Sequence, residues 1–403
     1  MKIVKRVQSF VQQVADRAGL DDRESRLARD IVVGISQAQS VLLSEIGRVI
    51  DRGKDVPLIR TEQRLSKGLR KETSKLDGLP RAYLRSVAPV ARTLSFVTVD
   101  GTDHVHPYGK AFEVLDRVSD RSVPDKLVKP GYWGVTIEAT DGQHRHLPLF
   151  YDLYSTKDPA YIAAGAKPWQ HQFQRAIAHV LPVTSRFATW LFDRGFDDGE
   201  QLHFFRDQLP RHVVRMMRSR LVHLGDRADP AVWNIGVLGD NLRTPHSVAI
   251  PYVDKKTHQM RQHGRSFGYV PVRLPEMEHP YTLIVVRADQ GQDWLLLASW
   301  VPRTTKEVAA IVRAYVVRWG SEEVTRCFKQ CTDVENMRVR GFDAMRRLLW
   351  LALIAMGLQA LWLFRRKRLA HAMIKRVKSF IHHVLFEHYR LWAGTAAALR
   401  GGT

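Results

Sequence analysis

The sequence predicts an α/β fold: a core of strands and helices that is interrupted by a β-rich insertion, with all-helical regions at both ends of the chain. Three observations support this prediction. Apolar residues recur with helical spacing up to about residue 91, short β-type runs begin at Leu94, and helical spacing returns from Thr304. With 403 residues, of which 45% are hydrophobic, the chain can form two or three structural units around a large core.

The N-terminal region, residues 1–91, is predicted to be helical throughout. Asp21 and Asp22 are typical helix-capping residues between two amphipathic stretches. The segment Arg60–Ser86 carries many basic residues among few large apolar ones. We interpret the region as a DNA-binding domain, although a basic helical face is also commonly just solvated.

Residues 92–210 and 303–365 are predicted to form the core. Its first part contains strand-like runs at 94–102, 132–139, 146–154 and 186–192 and helix-like stretches at 163–181 and 199–209. The first strand is predicted to end at Asp100 and a turn, and the fourth is followed by Asp193. Strands and helices in this order indicate an α/β arrangement.

Residues 211–302 are predicted to form the β-rich insertion, because strand-like runs separated by Gly, Pro and Asp turns contain no convincing helix. The helical period returns directly afterwards, with Thr304 or Thr305 as the N-cap. The last region, residues 366–403, is predicted to be basic and helical.

The apolar segment Leu348–Phe364 carries no charge and is at the short end of the length that crosses a bilayer. Arginines flank it on both sides, so the charges give no orientation signal. We interpret it as a helix buried in the core of a large domain and expect no membrane partner. A membrane span is the less favoured alternative.

The chain is strongly basic, with 62 Lys and Arg residues against 41 Asp and Glu residues and a formal net charge of +21. Such a charge attracts polyanions, of which nucleic acid is the first candidate and an anionic membrane the second. Two cysteines cannot staple a fold of this size, and the first residues lack the apolar run of a cleavable signal peptide. The expected location is the cytoplasm, in association with the nucleoid.

The stretch Ala314–Gln330, AYVVRWGSEEVTRCFKQ, is predicted to be a helix with one charged and one apolar face. A rotation of about 100° per residue places five polar side chains on one arc: Tyr315, Arg318, Glu322, Arg326 and Lys329. The usual interpretation of such a face is that it is solvated. A carboxylate among two arginines, a lysine and a tyrosine is better suited to holding a metal and a phosphate group together.

Three carboxylates from distant parts of the sequence are the candidate metal ligands: Asp100, Asp193 and Glu322. Strand ends and a helix packed across them can bring such residues together, and hard oxygen ligands suit two Mg²⁺ or Mn²⁺ ions. Two ions about 3.5–4 Å apart would activate a water or a 3′-hydroxyl for attack on a phosphodiester. An aspartate at a strand end is commonly a turn or capping residue instead. Neighbouring carboxylates that stay open as alternatives are Asp103, Asp197 and Glu323.

Two His-x-His pairs also have metal-binding spacing, His104 with His106 and His144 with His146. Without a nearby third ligand, we interpret them as surface or turn histidines. No phosphate-cradling loop of the Walker type occurs, so nucleotide hydrolysis is not supported.

The spacing Y-x2-R-x3-E-x6-K, formed by Tyr315, Arg318, Glu322 and Lys329, resembles the signature of the IS4-type DDE transposases. The segments VTVDGTD and WLFDRGFDDGE likewise resemble the regions around the first and second catalytic aspartates of that family. The resemblance extends from about residue 94 to residue 364. Thr325 stands where family members usually carry an aromatic residue.

The resemblance implies a ribonuclease-H-like core with the β-rich insertion between its last strand and the helix that carries the glutamate. It implies that Asp100, Asp193 and Glu322 hold two Mg²⁺ or Mn²⁺ ions. The residues it implies near the DNA phosphates or the first metal are Tyr315, Arg318, Lys329 and Thr102. Arg326 lies outside the family pattern and is an additional candidate for DNA binding.

The implied activity is that of a DNA transposase, which binds terminal inverted repeats, cleaves at the element ends and joins the 3′-hydroxyls to target DNA. The implied partner is double-stranded DNA, on which the protein would assemble as a homodimer. The alternative is a catalytically silent DNA-binding protein derived from a transposable element, and the complete set of Asp100, Asp193 and Glu322 argues against it.

Overall fold

The computed structural model describes residues 2–106, 109–119, 127–142, 145–165, 168–225, 231–253, 260–288, 293–318, 320–365 and 387–400. Its α-helices are α1 (Lys2–Ala18), α2 (Asp22–Ala38), α3 (Leu43–Ile50), α4 (Leu58–Leu69), α5 (Leu79–Ala91), α6 (Pro159–Ala163), α7 (Pro168–Val180), α8 (Gly199–Gln208), α9 (Ile235–Asn241), α10 (Thr305–Arg318), α11 (Gly320–Thr332), α12 (Phe342–Arg365) and α13 (Glu387–Arg400). Its strands are β1 (Phe96–Val105), β2 (Asp116–Ser119), β3 (Val128–Thr140), β4 (His146–Tyr154), β5 (Thr189–Phe192), β6 (His212–Arg215), β7 (Leu221–Leu224), β8 (Val232–Asn234), β9 (His246–Val253), β10 (Met260–Arg273), β11 (Pro280–Ala288) and β12 (Trp294–Ala298). The predicted α/β fold with helices near both ends is confirmed.

The described strands form one mixed sheet. Its central part has the order β4-β3-β1-β5-β6, in which β1 runs antiparallel to β3 and parallel to β5, and β5 runs parallel to β6. This mixed sheet is consistent with the expected ribonuclease-H-like core. The sheet continues from β6 through β12, β11 and β10, so the strands assigned to the insertion extend the core sheet. A separate insertion therefore stays a prediction.

Two details of the predicted elements are wrong. The first strand does not end at Asp100, because β1 continues to Val105 and stays paired with β3 over its whole length. Residues 211–302, which were predicted to contain strands and no convincing helix, also contain the helix α9. Asn234 caps α9, since its side chain accepts hydrogen bonds from the backbone amides of the two residues after Ile235.

Helix caps predicted from the sequence are confirmed at two places. The Asp21 side chain accepts a hydrogen bond of 2.8 Å from the amide of Glu24 at the start of α2. Thr304 caps α10, because its hydroxyl accepts a hydrogen bond of 3.2 Å from the amide of Glu307. Each cap satisfies an amide that has no partner within its own helix.

The N-terminal helices α1 to α5 share one hydrophobic core with the sheet and with α12. Tyr83 of α5 donates a hydrogen bond of 2.5 Å to the carbonyl of Pro148 in β4. Arg347 of α12 is buried, and it donates to the Asp77 carboxylate at 2.7 Å and to the carbonyl of Leu69 at 2.8 Å. The helical region and the core are therefore joined by packing and by directed hydrogen bonds.

Helix α12 contains the apolar segment Leu348–Phe364. It is the one helix in the described part of the chain that is long and apolar enough to cross a membrane, and 94% of its apolar window is buried inside the protein. This burial agrees with the interpretation of the segment as a core helix. Of the predicted basic region 366–403, residues 387–400 form helix α13, which packs against α2, α11 and α12; residues 366–386 and 401–403 lie outside the described residues.

Candidate active site

The parallel pair β1 and β5 places two of the candidate carboxylates side by side. Val99 of β1 lies opposite Phe192, the last residue of β5. Asp100 and Asp193 are the next residues on these two neighbouring strands. Adjacent parallel strands carry successive register partners side by side, so these aspartates start from neighbouring positions. Glu322 lies in the first turn of α11.

The three carboxylates converge on one guanidinium group, that of Arg318 at the end of α10. Its Nη1 lies 3.6 Å from Asp100 Oδ2. Its Nη2 lies 3.8 Å from Asp193 Oδ1 and 3.9 Å from Glu322 Oε1. The structure thus brings together the three residues that the sequence selected as metal ligands, and it places a signature arginine among them.

The guanidinium is covered, the Asp100 side chain is mostly covered at 24% exposure, and the other two carboxylates stay accessible. The Arg318 side chain is 7% exposed, whereas the side chains of Asp193 and Glu322 are 40% and 41% exposed. Burial raises the pKa of Asp100 to about 6; the negative charges of Asp193 and Glu322 add to this rise, and Arg318 opposes it. Arg215 Nη1 also lies 3.9 Å from Asp193 Oδ1, so two arginines face three carboxylates, and an additional cation would complete the compensation.

These carboxylates fit a hard divalent ion in part. Their oxygens are the ligand type that Mg²⁺ and Mn²⁺ prefer. Asp193 Oδ1 is a buried acceptor without a hydrogen-bond donor. Within the described residues, however, no three His, Cys, Asp or Glu side chains lie close enough to hold one ion as they stand. As they stand, the three carboxylates share the Arg318 guanidinium and no single metal position.

Tyr315 supports the strand end that carries Asp193. Its hydroxyl donates a hydrogen bond of 3.3 Å to the carbonyl of Phe192, and the residue is 3% exposed. Its ring packs edge-on against Trp294, with 5.4 Å between the ring centroids. Tyr315 is therefore placed to position Asp193. The phosphate contact expected of it stays a prediction.

The other signature residues lie around this centre. Lys329 Nζ lies 3.0 Å from Glu335 Oε1 and also donates to the backbone carbonyl of Asp103. Thr102 lies two residues after Asp100 on β1, and its hydroxyl donates to the Asp103 carbonyl at 3.1 Å. Arg326 is exposed and pairs with Glu323. Lys329 and Arg326 are thus paired with carboxylates other than the three candidate ligands, and their phosphate contacts stay predictions.

The neighbouring carboxylates are engaged elsewhere. Asp103 lies beside Lys329, at 3.6 Å from its Nζ. Asp197 is buried, accepts a hydrogen bond of 2.7 Å from the Met217 amide and pairs with Arg220. Since these partners neutralise or satisfy them, they are weaker candidates for metal binding than the residues around Arg318.

A cleft of about 450 Å³ opens beside the two aspartates. Asp100 and Asp193 form part of its wall, together with Thr102 and Gly195. Aromatic side chains line the rest of it: Trp133, Tyr154, Tyr161, Trp169, Phe173 and Phe196. The acidic site is therefore reached from a cavity with largely apolar, aromatic walls.

A buried pair of ionisable residues next to the start of α11 was not predicted from the sequence. Glu138 Oε2 and His146 Nδ1 lie 3.2 Å apart, and both residues are at most 3% exposed. Burial, together with the charge of Asp100, raises the pKa of Glu138 well above its usual range. The His146 ring packs against the start of α11, since a Cβ on Gly320 would lie 2.5 Å from its Nε2.

The interpretation of the histidines as surface or turn residues is wrong for the described ones. His104, His106 and His146 are all buried, with at most 4% exposure, and His144 lies outside the described residues. Continuation of β1 beyond Asp100 carries His104 into the interior, and His106, the residue after this strand, packs against the rings of Phe112 and Tyr132.

The comparison with protein families agrees with this geometry. The transposase DDE domain family matches residues 139–358, more than half of the chain. The matched range contains Asp193 and Glu322, and Asp100 precedes it. No curated protein matches the sequence. The chain belongs to the transposase DDE domain family.

Proposed function

We propose that the protein is a DNA transposase of the IS4 type, which binds terminal inverted repeats as a homodimer, cleaves at the element ends and joins the 3′-hydroxyls to target DNA. The observation that carries the proposal is the convergence of Asp100, Asp193 and Glu322 on the Arg318 guanidinium within 4 Å. Family membership supports transposase activity, and the net charge of +21 supports DNA as the partner.

Asp100, Asp193 and Glu322 would hold two Mg²⁺ or Mn²⁺ ions. When bound, such ions activate the attacking oxygen and stabilise the leaving oxygen in phosphodiester chemistry. Arg318 keeps the three carboxylates together before metal arrives, and Tyr315 fixes the end of β5 beside Asp193. The proposed contacts to DNA phosphates come from Arg318, Lys329, Arg326 and Thr102; for Tyr315, whose hydroxyl already donates to the Phe192 carbonyl, a phosphate contact is the alternative to the positioning role.

A catalytically silent DNA-binding protein is the second candidate. It would need no set of accessible carboxylates around a buried arginine. Asp100, Asp193 and Glu322 all approach one guanidinium within 4 Å, an arrangement of like charges that is typical of a site where a cationic ligand joins the carboxylates. The catalytic proposal is therefore favoured.

The test is cleavage of duplex DNA that contains the element end and its flanking sequence. Cleavage is expected with Mg²⁺ or Mn²⁺ and not with a chelator. Glu322→Gln is expected to leave DNA binding nearly unchanged and to abolish cleavage. Glu323→Gln, the matched control on the next residue, removes only the exposed pair with Arg326 and is expected to cleave. Cleavage by Glu322→Gln would show that the third ligand is wrongly assigned.

A further inference from the structure

We infer that an arginine-lined cleft between the N-terminal helices and the core is a second binding site, and that it takes backbone phosphates of duplex DNA. The cleft has a volume of about 570 Å³. It lies among α1, α5, β4, α7 and α12, and its lining includes Arg17, Arg81, Arg85, Arg175 and Arg346. The inference rests on the proposed function for DNA as the partner.

Helix α5 presents a pair of like charges to this cleft. Arg81 and Arg85 are four residues apart and both exposed, while Ala82 and Leu84 between them are buried in the core. Like charges at this spacing lie on one face of a helix and repel each other. No described residue forms a hydrogen bond or an ion pair with either side chain. The pair is thus unfavourable in the free protein and would be relieved by an anion.

Helix α7 adds another arginine to the cleft, with a histidine one turn after it. Arg175 and His179 are four residues apart and line the same cleft. The His179 ring stacks on Phe150, with 6.2 Å between the ring centroids. Burial and the nearby charges of Arg175 and Arg81 lower the pKa of His179. Arg175 of α7 and Arg81 of α5 are therefore both close enough to act on the same imidazole.

The acidic groups of the cleft are already used. Asp152 holds Arg346, with 2.8 Å between Asp152 Oδ1 and Nε. Asp77 holds Arg347. Arg17 donates a hydrogen bond of 3.0 Å to the Ser86 hydroxyl. Arg81, Arg85 and Arg175 are therefore left as guanidinium groups that no acidic residue of the cleft neutralises.

Phosphate is the ligand chemistry that fits these groups. A guanidinium donates paired hydrogen bonds to phosphate oxygens, and its charge is retained at all relevant pH values. The apolar floor, which includes Phe150 and Trp350, offers no acceptor that would compete for the arginines. Arginines contributed by two different helices to one open cleft suit a continuous backbone better than one isolated anion.

The test uses the Glu322→Gln protein, so that DNA stays intact, and measures its affinity for element-end duplex over a range of KCl concentrations. The logarithm of the association constant falls as the logarithm of the salt concentration rises. Each lost phosphate contact makes this fall less steep by about 0.9. The combined variant Arg81→Gln, Arg85→Gln and Arg175→Gln is expected to reduce the steepness of this salt dependence by about 2.7. Replacement of the same three residues by Lys is expected to keep most of the slope.

The control removes three exposed charges elsewhere, by Arg303→Gln, Lys306→Gln and Arg313→Gln, and is expected to leave the slope nearly unchanged. Thermal unfolding verifies that each variant is folded. An unchanged slope in the cleft variant, or an equal fall in the control, would overturn the inference. Absence of any DNA binding by the starting protein would instead refute the proposed function.

A separate arm distinguishes DNA from a free phosphate compound. Inorganic tripolyphosphate is expected to compete with DNA for the starting protein more weakly than unlabelled duplex does. If tripolyphosphate raised the melting temperature of the starting protein but not of the cleft variant, while the DNA slope stayed the same in both, the ligand would be a free polyphosphate and the inference of a DNA site would be wrong.

Discussion

Arg318 Nη1 lies 3.6 Å from Asp100 Oδ2, and this contact ties the end of α10 to the middle of β1. The same guanidinium reaches Asp193 and Glu322. A buried arginine thus acts as the common counter-ion of three carboxylates that repel one another. Metal ions would supply the same compensation, so the role of Arg318 and the role of metal are linked.

Arg318→Gln is expected to destabilise the metal-free protein by more than the roughly 1 kcal/mol of an exposed ion pair, because three carboxylates lose the buried cation that they share. Mg²⁺ is expected to restore more of the melting temperature in this variant than in the wild type. Arg326→Gln is the control, since its pair with Glu323 is exposed and worth less than about 1 kcal/mol. Equal melting temperatures for Arg318→Gln and wild type in chelator would contradict the counter-ion role.

Asp100 should make the stability of the metal-free protein dependent on pH. Its pKa is raised from 3.8 to about 6 in the folded state. A raised carboxyl pKa favours the protonated form, so the stabilising contribution is complete below 3.8 and is lost as the pH rises through about 6.

Asp100→Asn imitates the protonated form at every pH. It is therefore expected to raise the melting temperature in chelator at pH 8, by an amount equivalent to at most about 3 kcal/mol, and to differ little from wild type below pH 4. Melting curves measured against pH in chelator test this. A destabilised Asp100→Asn protein at pH 8 would show that Arg318 outweighs burial at this site.

Gly320 should be required for the placement of Glu322. A Cβ at this position would lie 2.5 Å from Nε2 of His146, whose ring is buried. Gly320→Ala is expected to shift the start of α11 and to lower the cleavage rate roughly 10²-fold, since a displacement of about 1 Å has this effect in active sites.

The control for this prediction is Gly341→Ala, at the start of α12, where the nearest atoms to a new Cβ lie at 3.8 Å. It is expected to cleave normally. Adding His146→Ala to Gly320→Ala should recover part of the activity by opening space. Full activity of Gly320→Ala alone would mean that α11 tolerates the displacement and that His146 does not set its position.

Tyr315→Phe should separate a positioning role from a phosphate contact. Loss of the hydrogen bond to the Phe192 carbonyl is expected to cost about 1 kcal/mol in stability. The variant is expected to bind DNA as wild type does and to need more Mg²⁺ for cleavage, because the end of β5 carries Asp193. Tyr269→Phe, which loses a 3.3 Å contact with the Thr305 hydroxyl, is the control. Weaker DNA binding by Tyr315→Phe would assign it the phosphate contact.

Local spacing predicted much of the site. Asp193 follows a short apolar run and Glu322 lies in an amphipathic segment, so the adjacent residues in the sequence were enough to select each of them. The position of Arg318 among all three carboxylates could not be predicted, because it depends on how the end of α10 lies against the middle of β1 and the end of β5. The buried pair of Glu138 and His146 depends in the same way on the pairing of β3 with β4.

The wrong predictions for the end of β1 and for helix α9 have physical causes. Gly101 and Thr102 after Asp100 have turn-forming composition, yet pairing of β1 with β3 continues across them and overrides that tendency. Helix α9 is short, and its apolar sequence does not distinguish a helix from a strand. Asn234, which precedes it, was the capping signal that could have identified it.

The most direct test of the catalytic site is a cleavage assay on element-end DNA in Mg²⁺ with two sets of single substitutions. The first set is Asp100→Asn, Asp193→Asn and Glu322→Gln. The second set is Asp103→Asn, Asp197→Asn and Glu323→Gln, and melting temperatures show which of these proteins are folded. Loss of cleavage in every member of the first set, with cleavage retained by the folded members of the second, is the expected result. Cleavage by any member of the first set would contradict the assignment of Asp100, Asp193 and Glu322 as the metal ligands.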